Sequence, residues 1–98
     1  MTTSKPRGLT GPGAKLWAAV TSEYELAADD LAVLEEACRT RSLLADLRAR
    51  AAEDGLITPS SQGDRVNPAI VEARQQSLLL SKLLAALKLP SDLVESVS

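Results

Sequence analysis

The stretch Ala28–Glu53, ADDLAVLEEACRTRSLLADLRARAAE, decides the fold. It contains no Gly or Pro and is rich in Ala, Leu, Glu and Arg, all strong helix formers. At about 100° per residue, Leu31, Leu34, Cys38, Ala45, Ala49 and Ala52 fall on one stripe. Val33, Ala37, Leu44, Leu47 and Ala51 fall on a second, and Glu35, Arg39, Ser42, Asp46, Arg50 and Glu53 make a polar face. A helix with two apolar stripes must pack against two neighbours at once. The pattern therefore predicts a central helix about 39 Å long, at ~1.5 Å per residue.

Charge along this helix runs from acidic (Asp29, Asp30, Glu35, Glu36) to basic (Arg39, Arg41, Arg48, Arg50), which complements the helix dipole. Glu35–Arg39 and Asp46–Arg50 are i,i+4 pairs in the favourable orientation, worth a few tenths of a kcal/mol each. Arg41 and Arg48 have no such account. They lie seven residues apart, between the two apolar stripes. Charges placed there must snorkel outward, pair with a neighbouring element, or line a shared surface.

Outward from the central helix the signals stay helical. Pro12 or Gly13 starts a first helix over about 12–23, with Leu16, Ala19 and Val20 at helical spacing and Trp17 as a packing anchor rather than a base-stacking residue. The segment Tyr24-Glu25-Leu26 connects the two helices, and Leu26 is placed to staple the entrance of the second. Gly55 suits a left-handed C-terminal cap. The runs Leu56-Ile57-Thr58 and Asp64-Arg65-Val66 flank a turn cluster, so residues 56–66 read as a small hairpin or an ordered loop. Asn67-Pro68 pairs an N-cap with a proline at the first helical position, opening a third helix over about 68–88. Its second half, with Leu78, Leu79, Leu83 and Leu87, is apolar almost all round.

The expected fold is thus all-α, with three helices in one domain over residues 11–90, a flexible basic arm at 1–10 and a short acidic tail at 91–98. More apolar helix surface is present than one side can cover. An oligomer is expected, with Leu78, Leu79, Leu83 and Leu87 of the third helix and Val33, Leu44 and Leu47 of the second at the interface.

The composition excludes much. The chain has 98 residues, 45% of them hydrophobic, and a net charge of -2. That charge speaks against indiscriminate coating of nucleic acid but not against a local basic patch. No His is present and Cys38 is the only Cys, so a single chain has no disulfide, no Cys/His zinc site and no histidine-based catalysis. Cys38, on an apolar stripe, reads as a buried packing thiol. No paired carboxylates stand at an acid–base spacing. Neither a cofactor, a metal nor a small-molecule substrate is expected. The segment GLTGPGAK (8–15) superficially resembles a phosphate-binding loop, but Ala14 separates the last Gly from Lys15 and Leu16 stands where Ser or Thr is required. No apolar run approaches the ~20 residues of a membrane span, and the N-terminal MTTSKPRG lacks a signal-peptide core. An intracellular, reduced protein is expected.

The ordered landmarks resemble the small subunit of a tailed-phage terminase, in its short all-helical branch. They are Leu9-Thr10-Gly11 followed by Trp17, then Glu23-Tyr24-Glu25-Leu26, the spacing of Asp30, Leu34 and Cys38, the Gly55–Gly63 loop, Asn67-Pro68, and Leu87-x-Leu89-Pro90. The chain departs from the pattern at Lys88, where relatives often have Gly. The resemblance implies a non-enzymatic DNA-packaging protein that forms rings of identical subunits in the host cytoplasm during phage assembly. It would recognise the packaging initiation region of phage DNA and present it to the large subunit, which carries the ATPase and nuclease. Lys5, Arg7, Lys15, Arg41, Arg48 and Arg65 are the candidate DNA contacts. A rival reading is a helical assembly or regulatory adaptor with no nucleic-acid contact. Retention on DNA separates the two.

Overall fold

The computed structural model describes residues 4–60 and 63–89. Three helices and one hairpin follow in order: α1 (Gly11–Glu23), α2 (Ala28–Asp54), β1 (Ile57–Ser60), β2 (Gly63–Val66) and α3 (Pro68–Ala86). The acidic tail expected at 91–98 lies outside the described residues.

Both outer helices pack on α2, and the stripes are covered over part of their length: Leu34, Ala37, Cys38 and Leu44 are buried, whereas Ala49 and Ala52 at the end of the first stripe are exposed. Leu34, Cys38, Leu16, Trp17 and Val20 are buried in the core that α1 shares with α2, and Leu44, Leu80 and Leu84 continue that core into α3. Each outer helix runs antiparallel to α2, because a four-residue connection (24–27) and a tight hairpin are too short to allow any other course.

Local chemistry sets the helix ends. Leu26 and Leu31 occupy the two staple positions around the start of α2, and both pack against the core. Asp29 and Asp30 sit in the first turn of α2. At its end Gly55 takes φ 83°, a conformation that costs a side-chain-bearing residue free energy. The candidate loop at 56–66 is an antiparallel hairpin, with Ile57 opposite Val66 and Thr58 opposite Arg65. Asn67 closes its base. The Asn67 Oδ1 accepts from the Ala69 N–H at 2.9 Å, its Nδ2 donates to the Gly55 carbonyl at 2.7 Å, and its own N–H donates to the Leu56 carbonyl at 2.8 Å.

The start of α1 is capped from another helix. Thr10 stands at the N-cap, yet its side chain makes no capping bond. Instead the Ser42 hydroxyl of α2 accepts from the Gly13 N–H and donates to the Thr10 carbonyl, both at 3.0 Å. This bridge requires close approach. A Cβ at Gly13 would collide with the Cys38 carbonyl oxygen and lie 2.5 Å from the Ser42 Oγ.

Several expectations change. Leu44 is buried in the chain's own core, 2% exposed, so it is not part of an intermolecular surface. The reason is that α3 folds back along α2 and covers the stripe Leu44 belongs to. Val33 and Leu47 on that stripe are half-buried, as are Leu83 and Leu87, which pack against the core of the same chain. Only Leu78 and Leu79 of the interface candidates are largely exposed, at 65% and 42%. The described part of the arm is tied down: Leu9 is buried, its N–H bonds the Pro6 carbonyl, and the Arg39 guanidinium donates to the Arg7 carbonyl at 3.4 Å. Glu35 and Arg39 form their ion pair at 3.1 Å, whereas Asp46 and Arg50 form none.

Candidate nucleic-acid interface

Arg41 and Arg48 meet in a cleft between α2 and α3. Two helical turns separate them on α2, so they stand one above the other, and α3 supplies the opposite wall with Ser77, Leu80, Ser81 and Leu84. The cleft holds about 240 Å³, and among the described residues its lining includes Leu44 and no carboxylate. Arg48 is exposed and Arg41 is partly buried. The Arg41 guanidinium is held below its ordinary pKa, first by burial and second by the like charge of Arg48. Two cations share the α2 wall of the cleft, so an anion entering it meets both. Two serine hydroxyls on the opposite wall supply neutral donors. The arrangement suits recognition of phosphate oxygens more than any covalent chemistry.

The other candidates are dispersed. Lys5, Arg7, Lys15 and Arg65 are exposed, and none of them lines the cleft. Arg7 lies over the polar face of α2, its backbone held by Arg39. Lys15 is on the outer side of α1, and Arg65 is on β2.

Two features were missed in the sequence. Arg74 lines a second, larger trough of about 580 Å³ that shares Arg48 and Ser77 with the first and is otherwise built from Ala51, Ile70, Ala73 and Leu78. On its own helix Arg74 is an ordinary exposed charge; the trough exists only once α3 lies along α2. Ser42 falls on the polar face of α2, where nothing in the spacing announces a cap for another helix.

Cys38 is fully buried and burial pushes its thiol up to about 12, consistent with a packing role. Trp17 is 5% exposed, which leaves no ring face for stacking on a base. Among the described residues no group of His, Cys, Asp and Glu is placed to hold a metal ion, and no helix is long and apolar enough to cross a membrane.

No protein-family model, curated protein or solved structure matches the chain.

Proposed function

We propose that this protein is a terminase small subunit, a non-enzymatic DNA-packaging component. In this reading it self-associates, binds the packaging initiation region of phage DNA and hands it to the large ATPase/nuclease subunit in the host cytoplasm. The observation that carries the reading is that Arg41 and Arg48 stand side by side on the α2 wall of one cleft, facing serine hydroxyls of α3, in a chain whose net charge is otherwise acidic. Repetition of that pair around an assembly of identical copies turns weak phosphate contacts into useful avidity. The order of landmarks from Leu9 to Pro90 supports the family assignment.

The test is binding to phage DNA across a salt series from about 0.05 to 0.2 M. Each phosphate contact removed flattens the slope of log K against log salt by about 0.9. Replacing Arg41 and Arg48 with Gln is expected to weaken binding and flatten the slope by close to two per protomer engaged. An unchanged slope in a folded double variant refutes the assignment of these residues. No retention of the wild-type chain at ~0.15 M salt refutes the DNA-binding reading and leaves the adaptor in its place.

A further inference from the structure

We propose that the larger trough between α2 and α3 takes the α1–α2 corner of a second copy of this chain, with Tyr24 entering the trough and the flanking glutamates meeting Arg74. The inference rests on the self-association in the reading above, and it names the contact that would make it.

The trough is lined mainly by apolar side chains, Ala51, Ile70, Ala73 and Leu78, and Arg74 is part of the same lining. Its complement is present elsewhere in the same sequence. The corner reads Glu23-Tyr24-Glu25, and Tyr24 is the sole tyrosine. All three residues are exposed, and Tyr24 takes an extended backbone (φ -131°, ψ 138°). Glu23 ends α1 and Tyr24 leaves it in an extended conformation, so the ring and the two carboxylates project from one corner in different directions. Charge supports the match. Between Lys15 and Arg39 the chain carries Glu23, Glu25, Asp29, Asp30, Glu35 and Glu36 and no basic residue. Neither Arg74, Glu23 nor Glu25 has an ion-pair partner among the described residues. An aromatic ring with a polar rim and a facing arginine is the combination that interfaces favour.

The occupant cannot be the chain's own corner. The corner leads into α2 at Ala28, whereas the trough lies at Arg48 and Ala51, about 30 Å further along the same rigid helix. A contact between opposite ends of the molecule is head-to-tail, the kind that repeats and closes into a ring when the rotation allows. Val71, exposed on α3 one heptad before the lining residue Leu78, extends the apolar area beside the trough.

Sedimentation equilibrium or native mass spectrometry of the full chain, from about 1 to 100 µM, tests the contact. Tyr24→Ala is expected to raise the dissociation constant for self-association at least tenfold. Arg74→Glu is expected to do the same. Combining Arg74→Glu with Glu23→Arg and Glu25→Arg is expected to restore assembly, an outcome that loss of folding cannot mimic. Helicity and thermal melting of each variant are followed in parallel. Wild-type assembly that persists unchanged in folded Tyr24→Ala overturns this contact and leaves self-association standing. A wild-type chain that stays monomeric at 100 µM overturns both, while its retention on DNA is judged separately by the salt series.

Discussion

Replacing Gly13 with Ala puts the close approach of α1 to α2 to the test. In an exposed helix interior this change stabilises by about 1 kcal/mol, because Ala loses less backbone entropy than Gly. At Gly13 the sign should reverse. The new methyl would sit inside contact distance of the Cys38 carbonyl oxygen and 3.0 Å from its carbon, and these are backbone atoms of α2 that no rotamer change can move. The Ser42 hydroxyl, 2.5 Å away, can turn aside only by breaking its bonds to the Gly13 N–H and the Thr10 carbonyl. Ordinary contact near 3.5 Å requires α1 and α2 to part by roughly 1 Å, and a gap of that size forfeits up to half the dispersion attraction of the atoms that face it. Leu16, Trp17 and Val20 are the side chains affected. Overpacking costs about 1–3 kcal/mol and the lost hydrogen bond about 1; the helix preference of Ala offsets about 1. The net expectation is a loss of about 1–3 kcal/mol. For a domain of this size each kcal/mol moves Tm by roughly 4–8 °C. Urea unfolding at fixed protein concentration, with the midpoint lowered and the slope unchanged, is the assay. A Gly13→Ala chain with an equal or higher midpoint would refute the geometry. Ser42→Ala alone should cost about 1 kcal/mol, and the double variant should cost less than the two single effects together, since Ser42 is one of the obstacles.

Three further outcomes are expected. Asn67→Asp keeps a good N-cap acceptor for Ala69 but sets a carboxylate oxygen against the Gly55 carbonyl; a loss of about 1–3 kcal/mol in urea unfolding is expected, and a neutral result would mean the Nδ2 bond contributes nothing. Lys88 follows α3 with φ 56°, so Lys88→Gly should relieve backbone strain and stabilise by about 1 kcal/mol, read as a higher Tm; a lower Tm refutes it. Cys38 is protonated in the folded chain until about pH 12, whereas the unfolded thiol ionises near 9. The folded pKa is raised, so the unfolded state binds fewer protons above pH 9 and stability falls as pH climbs from there toward 12. Comparing wild type with Cys38→Ala over pH 8–10.5 isolates this slope, and identical slopes in the two chains would refute it.

The elements that could be read from the chain are those fixed by local pattern. The two stripes of α2 follow from 3.6-residue spacing, and they required two packing partners before either partner was known. Asn67-Pro68 announced the start of α3 through capping chemistry that needs no tertiary context. What escaped depends on what lies across a gap. Gly13 in isolation is a poor helix residue, and its reason for being there is the Cys38 backbone, 25 positions along the chain. Leu44 shows the same limit. An apolar stripe demands a cover, but spacing alone does not say whether the cover is the chain's own α3 or a neighbour's helix. Arg41 and Arg48 stood out because charge between apolar stripes breaks the pattern, whereas Arg74 obeyed its local pattern and gave no signal.

The helices are packed in chain order, α1 on α2 and α2 on α3, with no comparable contact between α1 and α3. Each large contact therefore joins neighbours in sequence, the arrangement associated with fast folding because few long loops must close. It also orders events at the ribosome. The α1–α2 pair is complete once Asp54 has emerged, and for as long as the hairpin and α3 are still being made, the stripe around Leu44 is bare. In that interval a nascent chain presents to its surroundings the same apolar surface that the finished protein hides.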